Sequence, residues 1–144
     1  MNEELKTKKI ILFDGVCALC NNFIVFIAKK DKKDKFRFLP LQNKNIEQFI
    51  DLNKIKIKEF DSVILIDGNN IKWKSSAALE IIINLSKILA LCKVFYIIPK
   101  IIRDIIYDWI AKNRYSIFGK VESCSIIKSK VNSEILKKKI IADL

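Results

Sequence analysis

Histidine is absent from this 144-residue chain, and arginine supplies only three of its 27 basic residues. Without histidine, a zinc site would have to be built from cysteine and carboxylate alone. The shortage of arginine (Arg37, Arg103, Arg114) speaks against readout of nucleic acid despite a formal charge of +11, because base edges and phosphates are gripped best by arginine's planar fork. The lysine clusters at 29–35 and 137–139 are interleaved with aspartate or lie near the end, as solvated turns and tails do, so no specific nucleic-acid partner is expected. A secretion signal is also lacking: the start is acidic and then basic, and the apolar run after it stops at Asp14. The greasiest region, Ala77 to Ala111, is interrupted by Glu80, Lys87, Lys93, Lys100, Arg103, Asp104 and Asp108, which leaves nothing near the roughly 20 apolar residues of a membrane span. A soluble, cytoplasmic protein is expected. In that compartment four cysteines do not form a structural disulfide framework, which leaves metal or redox use. No repeat, linker or composition break divides the chain, so residues 1–144 read as one domain.

What is present reads as alternating strands and helices. Lys9 to Phe13 is a β-branched and aromatic run ending at Asp14-Gly15, a buried strand and turn. Residues 18–30 contain no glycine or proline and are apolar on nearly all sides, a helix packed against a sheet. Phe36 to Leu41 alternates Phe36 and Phe38 inward with Arg37 outward, and Pro40 marks the strand's end or an edge position. Asn45 with Gln48 resembles a capping box before a second helix. Ser62 to Ile66 and Ile71 to Lys74 flank Asp67-Gly68-Asn69-Asn70 as a hairpin. Ser75 or Ser76 then caps a helix with the stripe Ala78, Ile82, Leu85 and Leu89. Pro99 opens another helix, with Ile102, Ile105, Ile106 and Trp109 as its buried face, and a weak helix follows from about Asn132. Strand, helix, strand, helix, hairpin, helix is the thioredoxin-like α/β order: a mixed four-stranded sheet flanked by helices, here with additional C-terminal helices. The site belongs where the first strand meets the first helix.

Cys17-Ala18-Leu19-Cys20 lies at that junction. Two cysteines across a helix's first turn bring their sulfurs within bonding reach. The unpaired N–H groups of a helix N-terminus stabilise a thiolate, lowering such cysteines from about 8.5 to between roughly 3.5 and 7.5. Cys17, expected to be less covered, is then the attacking thiolate, and Cys20, one turn further in, resolves the mixed disulfide. Asp14 either accepts a proton from Cys20 or caps the first turn's N–H groups. The rival is a non-catalytic zinc-binding or interaction domain using Cys17 and Cys20, with Cys92, Cys124 or carboxylates as further ligands. Cys92 reads as a buried thiol in an apolar helix, whereas Cys124, between two serines, is a third redox thiol or a ligand. A phosphatase of the haloacid dehalogenase type is discounted, because its nucleophilic aspartate would fall at Leu12. No cofactor is called for. A third reading is weak association with a membrane surface through the lysine excess and the helix after Pro99.

The stretch Ile11-Leu12-Phe13-Asp14-Gly15-Val16-Cys17-Ala18-Leu19-Cys20-Asn21 resembles the signature of the DCC family of predicted thiol-disulfide oxidoreductases, named for its Asp-Cys-Cys pattern. Later segments, Phe36 to Gln42, Asp61 to Val63, Ser76 to Leu79 and Asn113 to Gly119, are similar to that family's in the same order, and the position of Cys124 also looks like a family feature. The resemblance implies a thioredoxin-like fold, redox chemistry at Cys17 and Cys20, and a thiol- or disulfide-containing partner, protein or small molecule. It names no substrate. Phe60-Asp61-Ser62 stands where thioredoxins carry a cis-proline before the third strand, which puts the usual docking of an extended peptide in doubt. Arg114 and Cys124 are the accessory candidates. Arg114 folds back to supply positive charge to Cys17 or to grip an anionic substrate, or it simply complements the end of a helix dipole.

Overall fold

The computed structural model describes residues 7–52, 55, 62–121 and 138–141. Strand β1 (Lys9–Phe13) is followed by α1 (Ala18–Lys30), β2 (Phe36–Pro40), α2 (Ile46–Leu52), β3 (Ile64–Asp67), β4 (Asn70–Trp73), α3 (Lys74–Leu85), a 3-10 helix (Leu89–Ile97) and α4 (Lys100–Phe118). The sheet order is β2-β1-β3-β4. β1 runs parallel to β2 and antiparallel to β3, and β3 and β4 form the hairpin. This is the mixed four-stranded sheet between helices that the element order implied, a thioredoxin-like architecture.

Alternation along β1 explains the layers. Ile11 and Phe13 join Phe36, Phe38 and Leu65 on one face, covered by Ile24 and Ile27 of α1 and Ile81 and Leu85 of α3. Ile10 and Leu12 join Leu39, Ile64 and Ile66 on the other, covered by Ile46 and Phe49 of α2 with Ile55 and Ile141. Because neighbouring strand residues point to opposite faces, a strand buried on both sides reads as the continuous apolar run seen at 10–13.

Several local expectations are corrected. Arg37 does leave the Phe36/Phe38 face, but it is buried, held by Asp34 at 2.8 Å. α3 begins at Lys74 with no side-chain cap; Ser75 instead hydrogen-bonds Asp104 of α4. Its buried stripe is consequently Ala77, Leu79, Ile81 and Leu85. The helix stops before Leu89 because Ser86 is extended and its Oγ accepts the Leu89 N–H, at 3.2 Å, restarting the chain as a 3-10 helix. Cys92 lies in that segment as a partly buried free thiol.

The largest correction concerns α4. Ile102, Ile105, Ile106 and Trp109, expected to be its buried face, are 50% to 63% exposed. The polar face docks instead. Asp104 meets Ser75, Asp108 pairs with Lys74 at 2.9 Å, and Tyr107 Oη accepts the Val63 N–H at 2.9 Å. Arg114, near the C-terminal end of the same helix, reaches Asp14 at 3.1 Å. Four polar anchors on one stripe outweigh the apolar period that a sequence reading follows. The expected helix from Asn132 lies largely outside the described residues, as does Cys124.

Candidate active site

β1 ends at Phe13, and the next residues turn the chain into α1. Asp14 closes this turn by accepting the Val16 N–H on Oδ1 at 3.0 Å. The amide of Gln42 fastens it from outside: its Nε2 donates to Asp14 Oδ1 at 2.8 Å and its Oε1 accepts the Gly15 N–H at 2.9 Å. Asn21 Nδ2 donates to the Gly15 carbonyl at 2.9 Å. With the turn held on both sides, Cys17 becomes the N-cap of α1, extended at φ −88 and ψ 119.

Its sulfur does what a capping oxygen does elsewhere. Cys17 Sγ accepts the Cys20 N–H at 3.3 Å, so one of the orphan donors of the helix start points at the thiol. The Cys20 thiol sits against it. Burial, a hydrogen bond to Cys17 and the field of Cys17 push Cys20 far above the ordinary thiol range, while Arg114 pulls it down. Cys20 therefore keeps its proton across the ordinary thiol range.

Asp14 and Arg114 form a buried ion pair below the dithiol. Tyr115 completes it, donating to Asp14 Oδ2 and receiving Arg114 Nη2 at 3.0 Å while the guanidinium lies over its ring at 4.7 Å. Burial and the bond to Asp14 push the Tyr115 phenol up. Arg114 itself is opposed by burial, but the bond to Tyr115 and the fields of Cys20, Tyr115 and Cys17 raise it, so it stays charged. Asp14 accepts four hydrogen bonds, which makes it a positioning carboxylate whose lone pairs are occupied.

Exposure within the pair is the reverse of what chain order suggests. Cys17 is fully buried and Cys20 only partly. The cover is the segment after α4: Val121 N–H donates to the Val16 carbonyl at 2.9 Å, Ala18 N–H to the Gly119 carbonyl at 3.4 Å, and Lys120 bridges to Cys17. Cys20 faces a cavity of about 200 Å³ walled by Phe13, Leu19, Phe23, Val63, Tyr107 and Arg114. The strap depends on Gly119, whose φ of +84 a side chain adopts only with strain. Gly119→Ala should cost about 1–3 kcal/mol locally and speed alkylation of Cys17 by iodoacetamide at least about tenfold. A wild-type alkylation rate would show that the strap does not limit access.

Cys17, Cys20, Asp14 and Arg114 are thus brought together, and Cys124 lies outside the described residues. Among the described residues no group of three or more cysteine, aspartate, glutamate or histidine side chains is arranged to hold a metal ion. Gln42 and Tyr107 carry no role in the sequence reading, and Tyr115 enters it only as the neighbour of Arg114 in the segment that folds back. Gln42 had a signal: Leu41 N–H extends the β1–β2 pairing to the Phe13 carbonyl, so the next side chain falls beside Asp14.

A thioredoxin-like sheet with a dithiol capping its first helix defines a class, the thioredoxin-fold proteins carrying a Cys-x-x-Cys pair at the strand-to-helix junction. The chain belongs to the DCC1-like thiol-disulfide oxidoreductase family, whose model matches residues 11–120. It is 33% identical over 136 residues to the uncharacterized protein YuxK of Bacillus subtilis (strain 168), covering 94% of this chain and 99% of that protein. It is 31% identical over 120 residues to the chloroplastic DCC family protein At1g52590 of Arabidopsis thaliana, covering 83% of this chain and 70% of that one. No solved structure matches significantly. No helix among the described residues is long and apolar enough to cross a membrane.

Proposed function

We propose that this protein exchanges thiols and disulfides through Cys17 and Cys20. The observation that carries the reading is the convergence of the Cys20 N–H and thiol on Cys17 Sγ at the head of α1. Cys17 thiolate attacks a substrate disulfide, forming a mixed disulfide and expelling one substrate thiolate. That step removes the charge on Cys17 that held the Cys20 proton, and Arg114 then favours its loss to the departing thiolate. Cys20 attacks Cys17, expels the second substrate thiol and leaves a Cys17–Cys20 disulfide, two electrons having passed to the substrate. A thiol reductant restores the dithiol by the reverse exchange.

Cys17 takes the first step although it is covered. Opening a strap held by two backbone hydrogen bonds costs on the order of 1–3 kcal/mol, about ten- to a hundredfold in rate. Ionising Cys20 first is opposed by the burial of its thiol.

The substrate class is low-molecular-weight disulfides. An extended polypeptide docks by pairing with free backbone groups at a sheet edge. Next to the dithiol those groups belong to Val63, and both are occupied: its N–H by Tyr107 Oη at 2.9 Å and its carbonyl by the Lys74 N–H at 3.2 Å. Reduction of glutathione disulfide or cystine should exceed that of insulin by at least about tenfold per disulfide. Tyr107→Phe, which frees the Val63 N–H, should narrow the gap. No turnover of either kind, with Cys17 and Cys20 failing to form a reversible disulfide under mild oxidation, would overturn the reading.

A further inference from the structure

α4 is amphipathic with its faces exchanged. Asp104, Tyr107, Asp108 and Arg114 hold it to the body, and the opposite stripe, Ile101, Ile105, Trp109 and Ile110 among it, faces outward. The preceding 3-10 helix continues the surface with Leu91 and with Ile97, which is 81% exposed. Fourteen of the large hydrophobic residues exposed among the described ones fall from Ile88 to Phe118, enough for a contiguous patch well beyond the isolated apolar side chains normal for a soluble surface.

The charge on this face has one sign. Between positions 87 and 118 the exposed residues include Lys87, Lys93, Lys100 and Lys112, against two carboxylates, Asp104 and Asp108, both engaged in ion pairs. Asp108 is drawn to Lys74, and Asp104 is shared between Ser75 and Lys100, which leaves Lys87, Lys93 and Lys112 as the excess. A broad apolar stripe with a tryptophan, edged by an excess of lysine over acid, is the pattern of a helix lying in the interface of an anionic bilayer. A second copy of the chain fits less well. A symmetric pair through this face would bring two sets of lysines together with the helix's two acids already engaged, in a molecule already carrying +11.

We infer that the 3-10 helix and α4 form a docking surface for anionic membrane, with the apolar stripe sunk into the headgroup boundary and the dithiol on the polar side of the same helix. The inference does not depend on the redox reading. Floated with phosphatidylglycerol vesicles at low salt, the full chain should rise with the lipid, and with phosphatidylcholine vesicles it should bind at least tenfold less. Binding should weaken as salt is raised. The double variant Ile105→Asp, Trp109→Asp should lose vesicle binding by tenfold or more. Because both side chains are exposed, it should keep the wild-type melting temperature and the wild-type rate on a soluble disulfide. Equal binding to both lipids, or none to phosphatidylglycerol, would overturn the inference. So would a lipid-free dimer in sedimentation that the double variant abolishes, since the face would then belong to a second copy.

Discussion

Cys17→Ser should lower the rate of disulfide reduction by at least about a thousandfold, the largest effect expected of any single substitution. A serine at the N-cap still accepts the first-turn N–H, so the fold should survive; what disappears is the sulfur proposed to form the first bond. Cys20→Ser separates the steps. It leaves attack by Cys17 possible but removes the group that releases the product, so the variant should stall after one exchange with substrate attached at Cys17. Mass spectrometry after incubation with glutathione disulfide reads this directly: a glutathione adduct on Cys17 in Cys20→Ser, and little on Cys20 in Cys17→Ser. The reverse pattern, with the adduct on Cys20, would assign the attack to the sulfur that faces the cavity.

The contrast between the two sulfurs also marks how far the sequence carries. The strands at 9–13 and 36–40 and the helix at 18–30 were legible because each is a short, nearly unbroken apolar stretch bounded by turn residues, and the site followed from where the cysteines fall between them. The orientation of α4 was not. Its apolar stripe is longer and cleaner than its polar one, and periodicity assigns the greasier face to the core. What decides the outcome is pairing across 29 to 101 residues of chain: Ser75 with Asp104, Val63 with Tyr107, Asp14 with Arg114 and Tyr115. Such contacts leave no local trace. The burial of Cys17 escaped for the same reason, because its cover arrives more than a hundred residues later with Lys120. Proximity to a helix N-terminus is a local property; accessibility is a tertiary one.

Breaking the pair beneath the dithiol should have the second largest effect, on stability and on chemistry at once. Asp14 and Arg114 are both nearly inaccessible, so Arg114→Ala leaves a buried carboxylate without its cation and should cost about 3–5 kcal/mol of unfolding free energy. The conservative variants Arg114→Gln and Asp14→Asn separate charge from packing. Arg114 lowers and Asp14 raises the Cys20 thiol, so neutralising the arginine should drive that thiol further up and slow resolution of the mixed disulfide, while neutralising the aspartate should bring it down. Thiolate ultraviolet absorbance of the reduced variants against pH gives the comparison, and shifts in the same direction would reduce the pair to a structural brace. Stability carries a matching signature. The folded reduced protein holds the Cys20 proton more tightly than the unfolded chain, so this contribution is complete below the ordinary thiol value of about 8.5 and declines as pH rises beyond it. A protein oxidised to the Cys17–Cys20 disulfide has no such proton to lose, and its melting temperature should fall less steeply over the same alkaline range.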